Sequence, residues 1–231
     1  MAQRRTVKKG LGILAAVCWI VFGITGVIRW IAGDGGLLAA EMLRCAPPET
    51  TGLPEKDYPG VCEMTAEFLT GKRDVFQYVS AQGTPDGACA RKEVFQPHEA
   101  AHMADCRGLI RLDTAVCIAC LAAAGLLAAA GLYRREGRKD FLRGALWGMR
   151  IMAGIAAAFG LWALVNFDGL FVTFHLAAFP QGGWLLDSRT DLLIRLMPLS
   201  FFVRLGIRGL IRFAVFAALT DAAVRIGWKK A

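Results

Sequence analysis

The chain has 231 residues, 55% of them hydrophobic, a mean hydropathy of +0.44 and a formal net charge of +8. So apolar a composition, concentrated in blocks, excludes an ordinary soluble domain and indicates an integral membrane protein. The basic residues flank the apolar runs as cytoplasmic loops do, and no nucleic-acid motif accompanies them, so the charge does not imply a nucleic-acid partner.

Four windows have the roughly 20 apolar residues a membrane helix needs, at about 11–32, 109–133, 144–166 and 199–228. The first follows Arg4, Arg5, Lys8 and Lys9; it is longer than a signal-peptide core and lacks a small-residue cleavage pattern. It reads as an uncleaved spanning helix. The second carries Arg111 and Asp113 near its start, so its lipid-embedded part is expected from about Thr114. Basic clusters lie at the N-terminus, in the short connection around Arg134, Arg135, Arg138, Lys139 and Arg143, and at Arg225, Lys229 and Lys230. The positive-inside rule then puts both termini and that connection in the cytoplasm, and 33–108 and 167–198 outside. The expected fold class is an α-helical integral membrane protein with four transmembrane helices and a small mixed α/β extracytoplasmic cap. The cap, 33–108, is inserted between the first two helices, and 167–198 forms an extracytoplasmic active-site loop.

Within the cap, Pro47, Pro48, Gly52, Pro54, Pro59 and Gly60 mark a loop. A short helix is expected at 61–69, and a hairpin with strands at 74–80 and 88–95 around a turn at 82–87. Pro97 opens a helix carrying His98, Glu99, His102 and Asp105. Cys45, Cys62, Cys89 and Cys106 fall in this outer segment, where disulfides are permitted, and four cysteines allow three pairings. Cys18, Cys117 and Cys120 read as small buried side chains of apolar helices.

The chain contains three histidines. His98 and His102 share a helix face, and HEAAH fits the H-E-x-x-H string of zinc enzymes. A third ligand would have to be His175 or a carboxylate such as Asp187, and two solvated histidines at a helix start give the plainer reading. His175 sits in an aromatic bed, Phe171, Phe174 and Phe179, ahead of the turn Pro180-Gln181-Gly182-Gly183 and Trp184. An imidazole at a membrane surface needs a partner or a task, and near its reference pKa it exchanges protons at neutral pH. A backbone hydrogen bond at the interface would satisfy it without any chemistry. Arg204, Arg208 and Arg212 form a stripe in the fourth window; they either pair with Asp113, Asp191 or Asp221, or, for Arg204 with Arg195, hold a lipid phosphate or developing negative charge. Trp184, Phe201 and Phe202 are candidates for an acyl-chain groove, although aromatic residues also populate membrane interfaces by default.

EAAHMADCRGLI and FHLAAFPQGGWLLDSRTDLLIRLMPLSFF together resemble the two conserved blocks of the lipoprotein intramolecular transacylases, four-helix bacterial membrane proteins. The first corresponds to E-x-x-H-M-x-D before the second helix, the second to F-H-x-x-x-F…W-x-x-D…D-x-L-I-x-x-x-P-x-x-F-F. Two positions depart from the pattern: Cys106 stands where valine is usual, and Leu199 where an acidic residue follows the proline. The resemblance implies an acyltransferase of the bacterial cell membrane. It would move the sn-2 O-acyl chain of a diacylglyceryl-cysteine lipoprotein to the α-amine of the same cysteine, giving the lyso-form. It implies His102 and His175 as the catalytic pair; Asp105, three residues after His102, is spaced to orient it, and Glu99 is a further supporting candidate. On the residue reading above, Trp184, Arg204, Arg195 and Phe174 are the candidates for substrate contact. No cofactor or metal is expected, the partners are lipoprotein and membrane lipid, and the chain is expected to act as a monomer. Two rivals are a quinone-linked thiol oxidase, which would need a reactive C-x-x-C pair outside where Cys117 and Cys120 lie inside a helix, and a membrane metal-dependent hydrolase. A non-catalytic scaffold would leave the two histidines without a shared cavity.

Overall fold

The computed structural model describes residues 2–83, 89–133 and 135–231. It is mostly helical and divides into two compact units. One comprises 29–112 and 168–208, the other 1–28, 113–167 and 209–231.

The first unit holds the short elements. Asp34 caps helix α2 (Gly35–Cys45) by accepting from the Leu37 amide at 2.9 Å. Pro47 and Pro48 then stop it, and Pro48 starts the single turn α3 (Pro48–Thr51). A 3₁₀ turn leads into α4 (Tyr58–Thr70), whose C-terminus closes on Gly71 in the left-handed conformation, φ +84°. Helices α2 and α4 pack through Met42, Tyr58, Val61, Cys62 and Met64, all essentially solvent-free. The Tyr58 hydroxyl donates to the Ala46 carbonyl and meets Thr51, so its polar end is satisfied in that core. Strands β1 (Val79–Gly83) and β2 (Cys89–Glu93) pair antiparallel with Val79 opposite Glu93. The hairpin is shorter than expected: 74–78 is irregular, and the turn at 82–87 lies mostly outside the described residues. Phe76 meets Phe68 edge-on and Phe95 at a tilt, at 5.3 and 4.7 Å between centroids.

Of the cysteines for which disulfides were permitted, Cys45, Cys62 and Cys106 stand as free thiols. Cys62 instead donates to the Met42 sulfur at 3.6 Å, and burial pushes its thiol up to about 12. The Cys89 side chain lies outside the described residues.

Helix α5 (Pro97–Leu132) is continuous from the cap into the second apolar window. Its polar residues, from His98 to Asp113, fill the first turns, and the apolar run follows. The segment after α6 (Arg138–Val165), expected as a loop, carries α7 (Phe167–Ala178) and the short α8 (Leu192–Leu196). Helix α7 forms because its run of aromatic and aliphatic residues contains no proline before Pro180.

In the second unit, α1 (Ala2–Gly33) and α6 approach closely at glycines. A Cβ at Gly12 would lie 2.0 Å from the Phe141 carbonyl oxygen, and one at Gly144 2.1 Å from that of Lys9. Small residues are what permit such backbone contact between apolar helices. The last helix, α9 (Leu199–Lys230), meets α1 through Trp19, which donates to the Thr220 hydroxyl at 3.1 Å and stacks on Phe216. Length and composition mark α1, α5 and α6 as able to cross a membrane. At 32 residues α9 is long enough, but Arg204, Arg208, Arg212, Asp221 and Arg225 dilute its apolar character.

Candidate active site

The site lies wholly within the unit formed by 29–112 and 168–208. Helix α5 supplies His102 and α7 supplies His175, 73 positions apart in the chain. Both are nearly buried, 9% and 8% exposed, and their rings stack at 6.3 Å between centroids with planes 30° apart. Phe179 touches both, at 5.0 Å from His102 and 5.5 Å from His175. Phe171, Phe174 and Trp184 complete the bed around His175, at 4.1, 5.3 and 5.0 Å.

The His175 tautomer follows from its partner. Nδ1 lies 2.8 Å from the Phe171 carbonyl oxygen, which only accepts, so Nδ1 carries the proton and Nε2 the lone pair. His102 is held differently. Its Nε2 lies 3.7 Å from the Cys106 sulfur one turn later, and its Nδ1 is buried with no hydrogen-bond partner among the described residues. His102 sits in the polar first turns of α5, ahead of the apolar run. Burial, and then the neighbouring His175, hold its pKa below the ordinary imidazole value, while Asp105 opposes them. Burial, reinforced by Asp105, pushes the Cys106 thiol up to about 12.

The lowered His102 pKa has a consequence for stability. Below about pH 6.5 the unfolded chain binds a proton that the folded chain resists. The melting temperature in detergent is therefore expected to fall as pH drops through 6.5 towards the folded value. His102→Gln should flatten that part of the profile; an unchanged slope would remove His102 as its source.

The remaining expected residues divide into those at the pair and those that brace it. Asp105 Oδ2 accepts from Gln181 Nε2 at 3.1 Å, which ties the turn after α7 to α5. Glu99 is fully buried and accepts two backbone amides, Gln96 and Leu193, each at 2.6 Å. It thus caps its own helix and the start of α8. His98 Nε2 lies 3.1 Å from Asp191 Oδ1, and Gln96 Nε2 donates to the Thr190 carbonyl at 3.1 Å. The histidines of HEAAH therefore serve different partners, and the string's glutamate is occupied by backbone. Asp187 pairs with Arg189, and Arg195 Nε donates to the Asp191 carbonyl at 3.2 Å.

The arginine stripe finds a partner that the sequence reading did not weigh. Arg204 donates to Glu41 Oε2, and Arg208 reaches Glu41 Oε1 at 2.9 Å. Glu41, on α2, is fully buried, while the two arginines stay 40% and 49% exposed. A lone glutamate within LLAAEMLRC was the available signal, since a buried carboxylate needs cationic partners.

The family model of the lipoprotein intramolecular transacylase Lit matches residues 13–202. The chain belongs to this family. Lit-family membership makes it an acyltransferase acting on lipoproteins, and the thiol-oxidase and metal-hydrolase readings give way to it. No curated protein matches the sequence. Among solved structures, the membrane-integral Lit of Bacillus cereus matches with a TM-score of 0.74 and 17% identity, covering 100% of this chain and 98% of that one. Two variants of the same protein, with a histidine replaced by arginine or by alanine, match at 0.71 and 17%, over 99% of this chain and 94% and 96% of theirs. At that identity the likeness establishes the fold, that of a multi-pass membrane protein.

Proposed function

We propose that His102 and His175 together run the O-to-N acyl shift that turns a diacylglyceryl-cysteine lipoprotein into its lyso-form. The observation that carries this reading is the stacked imidazole pair, 6.3 Å apart, built from two distant segments inside an apolar bed.

The chemistry follows from the two tautomers. His175 presents the lone pair of Nε2 and acts as the base. It takes one proton from the α-ammonium and releases it to solvent, and then takes a second from the nitrogen as it attacks the sn-2 ester carbonyl. The N–C bond forms, the carbonyl oxygen becomes an oxyanion, and the ester C–O bond then breaks. The departing glycerol oxygen needs a proton. In this scheme His102 carries its proton on Nδ1, gives it to that oxygen and recovers one from the His175 imidazolium beside it, while the Cys106 thiol, pushed up to about 12, stays protonated against His102 Nε2. Counted from the ammonium form, one proton goes to solvent, one moves from nitrogen to oxygen, and one acyl group moves from oxygen to nitrogen. An amide replaces an ester, so no energy source or cofactor is required. Donor and acceptor belong to one molecule, and positioning supplies much of the acceleration. Phe174 and Trp184 border His175 and would guide the acyl chain; the exposed ends of Arg204 and Arg195 would meet polar parts of the substrate.

In this reading the membrane is crossed four times, by α1, the apolar part of α5, α6 and α9. Both termini and the connection between α5 and α6 are cytoplasmic. The cap 33–108 and the segment 167–198 form the extracytoplasmic active-site side, and the chain works as a monomer on lipoproteins in the cell membrane.

Cys106 has no part as a nucleophile. Cys106→Ser, which keeps a donor at that position, should retain activity, and no thioester should be trapped on the protein. Loss of activity with an acylated Cys106 in the parent would replace the direct shift by an acyl-enzyme route. The reading as a whole is tested in cells: mass spectrometry of a lipoprotein N-terminal peptide should show the N-acyl, O-monoacyl form only when this gene is present.

A further inference from the structure

The second unit contains a cavity of about 440 Å³ between α6 and α9 that has no role in acyl transfer. Its walls carry Arg143, Trp147 and Arg150 from α6 and Arg225, Trp228 and Lys229 from α9. Spacings of four and three place Arg143 above Trp147 and Trp147 above Arg150; Arg225 and Lys229 are likewise one turn apart. The Arg150 guanidinium lies 5.3 Å from the Trp147 ring, and Lys139 Nζ lies 5.9 Å from the Trp228 ring. Both tryptophans of the cavity wall thus have a cationic group over the ring. One carboxylate close by, Asp221, is already taken by Arg225.

A second observation points to a ligand. The Trp228 indole N–H is buried and has no acceptor among the described residues. A buried donor without a partner costs about 1–3 kcal/mol, so such a group calls for an acceptor from outside the chain. An acceptor beside four cations and two indoles, in a chain of a membrane-integral family, has a definite chemistry. We propose that this cavity binds the phosphodiester headgroup of an anionic phospholipid, with the glycerol backbone against the tryptophans. The phosphate oxygens accept from Trp228 Nε1 and from the arginines, whose fork geometry suits phosphate. The lipid's acyl chains remain in the surrounding bilayer.

Native mass spectrometry of the full-length protein, released from non-ionic detergent with added phosphatidylglycerol, phosphatidylcholine or inorganic phosphate, tests the proposal. Phosphatidylglycerol adducts should be retained; phosphatidylcholine should bind at least several-fold more weakly, and phosphate alone should leave no adduct. Arg143→Gln with Arg150→Gln should weaken phosphatidylglycerol retention by roughly fivefold per charge removed. Trp228→Phe keeps the ring and removes only the donor, so it reports on the site without removing the aromatic wall; it should weaken retention by about fivefold, a value typical of one hydrogen bond. Equal retention of the two lipids, or full retention in both variants, would overturn the proposal. Adducts with phosphate as strong as those with lipid would make the site one for a free anion and overturn it too.

Discussion

Replacing His175 by alanine is expected to slow N-acylation by roughly 10²–10⁴-fold while the protein still inserts and folds, the range expected when a general base is lost. The prediction rests on the Phe171 carbonyl, which fixes the proton on Nδ1 and leaves Nε2 as a base. His102→Ala should fall by a comparable factor, because the leaving oxygen then draws its proton from solvent that the aromatic bed keeps out. The double variant should be little worse than either single one, since residues acting in one proton transfer are not additive. Lyso-form production can be followed by mass spectrometry of a model lipopeptide in detergent or nanodiscs. Full activity in either single variant would remove that imidazole from the reaction.

The second large effect belongs to a residue that touches no substrate in this account. Glu99 accepts the Gln96 and Leu193 amides from a fully buried position. Glu99→Ala leaves two backbone donors without acceptors, at about 1–3 kcal/mol each. It also frees α8, and with it the segment that carries Trp184 towards His175. Melting of the detergent-solubilised protein should drop by several degrees, and activity should fall with it. Glu99→Gln keeps one acceptor oxygen and should recover part of both losses. A variant Glu99→Ala that melts like the parent but is inactive would make Glu99 a catalytic group rather than a brace.

Much of this site was legible in the chain. The aromatic bed around His175 and the polar start of α5 stood out because polar side chains next to apolar runs are costly and need a reason. The three helices long and apolar enough to cross a membrane, α1, α5 and α6, were visible as apolar runs of sufficient length. The bracing was not. Glu99 read as part of a zinc-like string, and only the fold reveals that its oxygens cap two helix starts. Its place three residues after Gln96 was the signal for a cap. Asp105 sat one turn from His102, yet its partner is Gln181, 76 positions away. Such pairings depend on where α7 turns back, which periodicity does not encode. Glu41 pairs across 163 positions with Arg204, and nearer acids looked like better partners for that stripe. The segment 167–198 carries α7 and the short α8 with irregular chain between them, and composition at an interface does not distinguish helix from extended chain.

The most direct measurement is an isotope-crossover assay on the purified protein in nanodiscs. A diacylglyceryl lipopeptide with a labelled sn-2 chain is mixed with an unlabelled peptide of different mass, and the products are sequenced by mass spectrometry. The account predicts that the label moves to the α-amine of its own peptide with the parent protein, and stays on oxygen with His102→Ala or His175→Ala. Label on the nitrogen of the other peptide, label released as free fatty acid, or transfer that survives in either variant would contradict it.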